Sequence, residues 1–439
     1  MSRATDLLSL WRAIEHAGGV DAYVNHQLAE RGFLVARRDL DSMSDRERTA
    51  YKKQLKEEAA HRRELKREAW NAYRARHIVH LGEGIYWNDQ PAKDPWDAPD
   101  AEERAAENEL PPLDSPRDLA EALGLTIAQL RWLAFHRDAA TSLHYRRFTI
   151  PKRDGSERAI WAPMPTLKAA QHWILRNIAE KLPVHGAAHG FLAGRSILSN
   201  ARNHVDSAIV VKMDVKDFFP SVTFRRVKGI FRRAGYREQV ATLLALICTE
   251  SPREIVEQGK TTYYVALGPR CLPQGAPTSP ALTNTLCLRL DRRLDGLARS
   301  LGYRYTRYAD DLTFSLPRGH EGDPRLGALL GKARRVVESE GFTVRLEKTR
   351  VARPGARQQV TGLVVNGDAT PRVPRKLRRQ LRAAVHNHLA NRPRPDADSP
   401  DRLAGLVSYV SMTDPALGQS LRSRWARTPA PSDPGDPAD

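Results

Sequence analysis

Residues 305–315 read YTRYADDLTFS and place two adjacent carboxylates, Asp310 and Asp311, between two β-favouring stretches. This pattern predicts a hairpin with both carboxylates at its tip. An isolated Asp-Asp pair is ordinary turn chemistry. A second stretch changes that interpretation, because residues 209–219 (IVVKMDVKDFF) form an apolar, β-rich run that ends on Asp214. If that strand lies beside the hairpin, three carboxylates converge, and hard divalent cations such as Mg²⁺ would relieve their repulsion.

The composition narrows the class of partner. The chain has 439 residues, with 70 Lys plus Arg against 52 Asp plus Glu and a formal net charge of +18. That charge favours a polyanion, nucleic acid before an anionic membrane surface. The apolar run at residues 240–248 is far shorter than the ~20 residues that span a bilayer. With three cysteines and no visible secretory signal, we expect a cytoplasmic protein without a disulfide framework or a membrane partner.

Flanking segments differ from the rest of the chain. Residues 1–93 predict a mostly helical N-terminal extension, in which Ser44 and Glu47 form a capping box at the start of a long charged helix. We interpret this helix as a spacer or docking element, with direct RNA contact as the alternative. Residues 94–114 hold eight acidic residues, one basic residue and four prolines, which predicts a flexible linker. Residues 428–439 predict a disordered tail.

Tyr308-Ala-Asp-Asp311 resembles the catalytic box of reverse transcriptases, and further boxes of that family follow in the expected order up to about residue 362. The resemblance implies an RNA-directed DNA polymerase of the α+β class with the right-hand polymerase fold. Fingers and palm, the palm being an antiparallel sheet with helices, would span residues 115–365. An RNA-binding thumb would span residues 366–427.

The same resemblance implies the catalytic residues. Asp214 matches the family's first metal-binding aspartate, so the expected catalytic set is Asp214, Asp310 and Asp311. These carboxylates, together with the Val215 carbonyl, would hold two Mg²⁺ ions. Such a pair of ions stabilises the attacking and leaving oxygens in phosphoryl transfer.

A hairpin at residues 145–163 resembles the family's fingers hairpin. By that resemblance Lys152 or Arg153, together with Arg158, would hold the triphosphate of the incoming deoxynucleotide. Flexible cations suit this role because they neutralise developing phosphate charge.

Three later residues match nucleotide contacts of the family. Phe219 matches the aromatic residue beneath the sugar, with core packing as the alternative. Gln274, within LPQGAPTSP at residues 272–280, is the expected nucleotide or template contact. Lys348 matches a lysine that lies near the triphosphate.

Two short segments are similar to those of bacterial retron reverse transcriptases. One has the Asn-Ala-x-x-His form and the other the Val-Thr-Gly form, and we assign their residues Asn200, His204, Val360, Thr361 and Gly362 to RNA contact. A lone histidine is more often structural, so the assignment depends on both segments. The resemblance implies an enzyme that binds its own structured non-coding RNA and primes from a guanosine 2′-hydroxyl. It would convert deoxynucleoside triphosphates into branched multicopy single-stranded DNA (msDNA). An effector protein and a role in defence against phage are implied as well.

Residues 371–394 hold eight Lys or Arg and no carboxylate. Within them, a predicted thumb helix has Leu377 and Leu381 as its buried stripe, and its cations are expected to contact RNA: Arg375, Lys376, Arg378, Arg379 and Arg382. Such a helix reads phosphates by charge and shape, and a solvated helix face is the alternative.

Two other functions stay open from the sequence. One is a group II intron or diversity-generating reverse transcriptase. The lack of a C-terminal Cys/His endonuclease cluster in this sequence counts against the intron type. The other is a catalytically idle RNA-binding module, which would have no need for three carboxylates facing its polyanion.

Overall fold

The computed structural model of the chain describes residues 2–88, 97–151, 155, 157–320, 325–367, 370–390, 392 and 399–425. The α-helices in this part are α1 Ser2–His16, α2 Val20–Glu30, α3 Asp45–Arg76, α4 Ala101–Glu107, α5 Pro116–Ala122, α6 Ile127–Ala134, α7 Pro165–Asn177, α8 Ile197–Arg202, α9 Phe224–Ala234, α10 Glu238–Cys248, α11 Ser279–Leu286, α12 Leu288–Ser300, α13 Leu326–Ser339, α14 Arg375–Leu389, α15 Pro400–Ser411 and α16 Pro415–Trp425. The strands are β1 Ala139–Ala140, β2 Tyr145–Pro151, β3 Glu157–Pro163, β4 Ser207–Val215, β5 Arg253–Gln258, β6 Thr261–Ala266, β7 Arg304–Tyr308, β8 Asp311–Pro317, β9 Val344–Ala352, β10 Gln359–Val360 and β11 Leu363–Val364. This mixture of helices and antiparallel sheets agrees with the predicted α+β class.

The chain divides into two compact units. The first comprises Met1–Ile178 and Phe231–Arg270, and the second comprises Ala179–Ile230 and Cys271–Asp439. The first unit therefore joins the predicted N-terminal extension to the hairpin predicted for the fingers. The second joins the sheet predicted for the palm to the helices predicted for the thumb. The breaks between the units, after Ile178, Ile230 and Arg270, all fall within residues 115–365, which the sequence assigns to fingers and palm.

In the first unit, the N-terminal extension is built on α3. Its predicted capping box is confirmed, since the Ser44 side chain accepts from the Glu47 amide and the Glu47 side chain accepts from the Ser44 amide. Val24 and Leu28 of α2 pack against Leu65 of α3. The extension is also bound to the rest of this unit, because the backbone amide of His136 donates to the carbonyl of Leu81 at 2.8 Å.

The acidic segment is packed rather than flexible over its described part. Helix α4 forms there, and Ala101 and Leu110 are buried. The Glu102 carboxylate accepts from Arg237 at 2.6 Å. A flexible linker is therefore the wrong interpretation for residues 97–114. Composition did not reveal this packing because the partner of Glu102 lies more than a hundred residues further along the chain.

The predicted hairpin at residues 145–163 is confirmed as β2 paired with β3, in register from Tyr145↔Pro163 to Pro151↔Glu157. Its base is fixed by Tyr145, which is buried and whose hydroxyl accepts from the Gln171 side chain at 2.7 Å. The rest of β2 is exposed. Lys152 and Arg153, expected to hold the triphosphate, lie outside the described residues.

The second unit contains a four-stranded antiparallel sheet in the order β7-β8-β4-β9. Strand β4 lies inside this sheet and buries Val210, Val211 and Met213. Helix α12 packs against β7 through an amphipathic face that buries Leu290 and Leu294. The two strands singled out in the sequence are thus neighbours in the sheet.

The C-terminal helices α14, α15 and α16 share one apolar core with β10 and β11. Leu381 is 1% exposed and Leu377 packs at the edge of this core, which confirms the predicted stripe on α14. Residues 428–439, predicted as a disordered tail, lie outside the described part. No helix described is both long and apolar enough to cross a membrane.

Candidate active site

Strand pairing brings the predicted aspartates together. Asp214 at the end of β4 lies directly opposite Asp311, the first residue of β8. Side chains of such a cross-strand pair point to the same face and lie about 5 Å apart. Asp310 occupies the turn between β7 and β8, and its carbonyl accepts from the amide of Val215 at 3.0 Å. The predicted hairpin and its neighbouring strand are confirmed.

The turn of the hairpin is held in an unusual backbone conformation. Ala309 has φ +54°, a left-handed value that costs energy for a residue with a side chain. Gly190 lies against this residue so closely that a Cβ on Gly190 would lie 2.8 Å from the Ala309 nitrogen. The neighbouring atom is backbone and cannot rotate away. Gly190 therefore fixes the position of the residue that precedes Asp310.

We expect Gly190→Ala to lower DNA synthesis by about tenfold to a hundredfold, since the added methyl displaces the turn and misplaced reacting groups lose rate steeply. Primer extension on an RNA template measures the loss. Gly186→Ala is the matched control, because a Cβ at Gly186 meets no atom within 4 Å. Equal rates for the two variants would contradict a positioning role for Gly190.

A buried ion pair contacts the same turn. Arg307, on β7, and Asp291, on α12, are both fully buried and lie 2.7 Å apart. The Arg307 guanidinium also donates to the Asn284 side chain at 3.0 Å and to the Ala309 carbonyl at 3.3 Å. This network joins the β7–β8 hairpin to α11 and α12.

Three cationic side chains lie 3.4–3.9 Å from the carboxylates of Asp214 and Asp311. Lys348 Nζ lies 3.8 Å from Asp214 Oδ2, Arg345 Nε lies 3.4 Å from Asp214 Oδ1, and Lys212 Nζ lies 3.9 Å from Asp311 Oδ1. Burial raises the pKa of Asp311, and the nearby Asp214 carboxylate raises it further while Lys212 opposes the shift. The site therefore holds repelling carboxylates whose charge is only loosely compensated.

The donor set fits Mg²⁺ in its chemistry. Carboxylate oxygens are the ligands this ion prefers, and Oδ1 of Asp214 is buried without a hydrogen-bond donor. Asp214 and Asp311 are brought together, and Asp310 follows at the turn. Within the described residues, however, no three His, Cys, Asp or Glu side chains form a ready cluster for a metal ion. The expected convergence is thus seen for two side chains and for the backbone of the third.

Aromatic rings lie beside the carboxylates. The half-buried Phe219 ring is 6.3 Å from that of the exposed Phe191, which is in turn 6.5 Å from Tyr308. Phe219 also contacts the buried Phe218, with 5.6 Å between the ring centres. Both interpretations of Phe219 are compatible with this position, because one side packs and the other is accessible.

The segment that carries Gln274 is tied to the loop after β4. The amide of Leu272 donates to the carbonyl of Val222 at 3.0 Å. Gln274 itself is half-buried, and Gly275 beside it has φ +121°, a value that favours glycine. The structure places this predicted contact residue in the same unit as the aspartates.

Comparison with known proteins decides the family. Residues 150–376 match the reverse transcriptase (RNA-dependent DNA polymerase) family. The chain is 53% identical to Retron Mx162 reverse transcriptase of Myxococcus xanthus over 94% of this chain and 88% of that protein. It is 46% identical to Retron Mx65 reverse transcriptase of the same organism over 72% of each chain. It is 32% identical to Retron Ec86 reverse transcriptase of Escherichia coli over 70% of this chain and 86% of that one.

The chain belongs to the bacterial retron reverse transcriptases. It is therefore an RNA-directed DNA polymerase, as the sequence boxes around Asp310 and Asp311 predicted. Reverse transcriptases generally use divalent metal ions, usually Mg²⁺.

The structure corrects the RNA contacts expected in this retron reverse transcriptase. Asn200, His204 and Val360 are fully buried, so they offer no surface to RNA. The ring nitrogens of His204 lie 2.7 Å from the hydroxyls of Ser315 and Thr306, and burial lowers its pKa to about 3. The histidine is a neutral structural residue that ties the loop before β4 to β7 and β8.

The two retron segments instead bind each other. The Asn200 side chain lies 3.5 Å from the hydroxyl of Thr361, which donates to the carbonyl of Ile197 at 3.1 Å. Gly362 is exposed at φ +87°, in the turn between β10 and β11. Their co-occurrence in the sequence therefore reflects a contact between α8 and this turn.

The five cations expected to contact RNA lie on one helix, α14. The exposed members are Arg375, Lys376, Arg379 and Arg382, and Arg378 is half-buried. No carboxylate of the described residues forms an ion pair with any of the five. Arg158 is likewise exposed, on β3 of the first unit.

Sequence reasoning missed three residues of this site: Gly190, Arg307 and Arg345. The signal for Arg307 was visible, since an arginine that alternates with Tyr305 on a buried strand needs a buried partner. Gly190 and Arg345 gave no comparable signal, because their importance depends on backbone approach and strand register.

Proposed function

We propose that this reverse transcriptase copies part of its own structured non-coding RNA into branched msDNA. The 2′-hydroxyl of a guanosine in that RNA attacks the α-phosphate of the first deoxynucleotide, and pyrophosphate leaves. Each new 3′-hydroxyl then repeats the reaction. The observation that carries the proposal is the cross-strand pair Asp214–Asp311, with Asp310 at the turn, in a chain of the retron family.

Asp214, Asp310 and Asp311 would hold two Mg²⁺ ions, with the Val215 carbonyl as a further ligand. When bound, the ions would lower the pKa of the attacking hydroxyl and stabilise the leaving pyrophosphate. Oδ1 of Asp214 supports this assignment, because it is buried, accepts no hydrogen bond and lies only in a loose ion pair with Arg345. No side chain is needed as a nucleophile, because the RNA supplies the first hydroxyl and the growing DNA supplies the others.

Basic residues would position the triphosphate. Lys348, half-exposed and 3.8 Å from Asp214, can leave its loose ion pair to meet a phosphate. Arg345 contacts both Asp214 and Asp217 within 4 Å and orients them from β9. By the family resemblance, Arg158 with Lys152 or Arg153 would also bind the triphosphate.

Phe219 and Gln274 would select and align the incoming nucleotide. The accessible side of Phe219 is suited to contact the sugar, and a ring beneath the sugar leaves no room for a 2′-hydroxyl. Gln274 carries both donor and acceptor atoms and so can bind a base or a template backbone. These roles assign the right-hand polymerase fold to the chain, with the β7-β8-β4-β9 sheet as its palm.

The helix α14 would hold the RNA in the thumb. Its five cations without carboxylate partners in the described structure repel one another, and a phosphate backbone relieves that repulsion. A structured RNA is read on such a surface by its shape and charge.

We expect that changing Arg375, Lys376 and Arg378 together to Gln weakens RNA binding and lowers the slope of log affinity against log salt by about two to three. Fluorescence anisotropy of the labelled cognate RNA at several salt concentrations measures both quantities. The matched control changes Arg299, Arg318 and Arg334 to Gln, which removes the same charge from residues that already pair with carboxylates. An unchanged slope in the α14 variant would make that helix a solvated surface.

The proposal as a whole is tested by the nucleic acid that the enzyme makes. The chain is expressed with its own genomic locus, and nucleic acid is extracted from the cells. The proposal requires a short single-stranded DNA that survives RNase and still carries the branched guanosine of the RNA. This DNA should shift in size after 2′,5′-debranching. An active polymerase without such DNA would instead favour a group II intron or diversity-generating mode of priming.

An effector protein and a role in defence against phage follow from the same proposal. Deleting the gene should then raise the plating efficiency of a phage that the locus restricts. The enzyme would act in the cytoplasm, where its RNA is transcribed.

A further inference from the structure

A cavity of about 670 Å³ lies in the first unit, between α1, α3 and α6. Its volume falls within the roughly 300–1,000 Å³ of pockets that bind small molecules. Its wall includes an exposed aromatic residue, Trp70, the amide side chain of Asn71, and two arginines, Arg74 and Arg131. No residue of the polymerase site lines it.

The aromatic side of this first cavity is a stack of rings. Trp70 stacks on Tyr73 with 5.7 Å between ring centres, and Tyr73 stacks on His77 at 4.2 Å. Trp11 packs against Tyr73 from α1. The stack fixes the Trp70 ring, yet Trp70 remains 47% exposed. A fixed and accessible indole is a platform for a flat ligand.

The two arginines at this cavity have no carboxylate partner among the described residues. On the same helix, Arg62, Lys66 and Arg67 each lie within 4 Å of a carboxylate. Among the described residues, none forms an ion pair with Arg74 or Arg131. Burial lowers the pKa of Arg131, and the nearby Arg74 and Arg137 lower it further. Guanidinium groups that no described carboxylate pairs with are suited to an anion, above all a phosphate.

A second cavity, of about 150 Å³, adjoins Arg131 and repeats this chemistry. It is lined by Trp132, which is 53% exposed, and by Arg137. Arg131 and Arg137 both lie over the ring of Phe135, at 4.7 and 5.1 Å. Glu250 also lines this cavity, but its carboxylate is bound by Arg253 at 3.1 Å. Arg131 is therefore a cation shared by two aromatic sites.

We infer that the two cavities on either side of Arg131 bind unpaired nucleotides of single-stranded RNA. Bases stack on Trp70 and Trp132, and the phosphates between them bind Arg131, Arg74 and Arg137. Alternating aromatic and basic side chains are how proteins hold single strands. The inference rests on the proposed function in one respect, since the RNA would be a single-stranded part of the enzyme's own transcript. It assigns the N-terminal extension to RNA binding.

The test measures binding of a fluorescein-labelled, ten-nucleotide RNA of mixed sequence to the full chain by anisotropy. The measurement is repeated in the chain whose Arg375, Lys376 and Arg378 are changed to Gln, so that RNA binding by α14 does not mask a loss of binding at the cavities. We expect Trp70→Ala and Arg74→Gln each to weaken binding by about fivefold to tenfold. Trp70→Phe, which keeps a ring, and Arg74→Lys, which keeps the charge, should retain most of the affinity.

Two matched controls lie outside the cavities. Arg67→Gln removes the same charge from the same helix, and Tyr86→Ala removes an exposed aromatic residue. Both should bind like the parent chain. Circular dichroism melting of each variant shows whether it is folded.

Wild-type affinity in Trp70→Ala and Arg74→Gln would overturn the inference and leave the cavities to a protein partner. An equal loss in Arg67→Gln would also overturn it, because the effect would then be one of net charge. If Trp70→Ala and Arg74→Gln weakened binding of a DNA of the same sequence but not of the RNA, the assignment to RNA would be overturned. None of these readouts needs polymerisation, so failure of the proposed function is recognised separately by primer extension with the wild-type chain.

Discussion

Changing Asp310 and Asp311 together to Asn should abolish DNA synthesis, with a rate at least about a thousandfold below that of the wild type. Asn keeps the size of each side chain but removes the anionic oxygens that a hard cation requires. The change also ends the repulsion between Asp311 and Asp214. We therefore expect the folded state to be retained and binding of the cognate RNA to stay within about twofold of wild type. Primer extension and anisotropy measure the two effects.

Asp206→Asn is the control for that variant. Asp206 lies in the same unit at φ +51°, a conformation that Asn tolerates well, and pairs with Arg318 at 3.3 Å. Its rate should equal that of the wild type. Full synthesis by the Asp310/Asp311 variant would refute metal binding at these carboxylates, and loss of RNA binding would show that the change is not confined to chemistry.

Arg307→Met should lower the free energy of unfolding of the second unit by about 3–5 kcal/mol, because it leaves the Asp291 carboxylate buried without its guanidinium. For a unit of this size the melting temperature falls by roughly 10 °C. Changing Asp291 to Asn in the same chain should recover part of the loss, since the unpaired charge is then absent. Differential scanning calorimetry measures each variant.

Arg299→Met provides the contrast on α12. Its ion pair with Asp295 is as short, at 2.6 Å, but Arg299 is 78% exposed. Exposed pairs contribute about 0–1 kcal/mol. If the two substitutions lowered the melting temperature equally, burial would not be the reason for the strength of the Arg307 pair. The Arg307 variant should also synthesise DNA more slowly, because the Ala309 carbonyl loses a donor.

The sequence predicted the elements whose signals are local. The capping box at Ser44 and the apolar run before Asp214 depend on near neighbours, and both were confirmed. The hairpin around Asp310 was predicted for the same reason.

Features that depend on distant partners were not predictable. The acidic segment appeared flexible because the partner of Glu102 is Arg237. His204 was predicted to contact RNA because its segment resembles a motif of the family. The motif does not say whether the histidine is buried or exposed. Burial of that residue emerges only when the loop before β4 meets β7 and β8.

The division of the chain into two units has a consequence for its synthesis on the ribosome. The first unit needs α10, which is almost wholly buried and packs against α5, α6 and α7. The nascent chain, however, leaves this unit after Ile178 and returns only at Phe231. At about 5–20 residues per second, the N-terminal helices wait several seconds for their last core helix to emerge. During that interval their apolar faces are open to chaperones, and a chain released near Ile178 would lack part of its core.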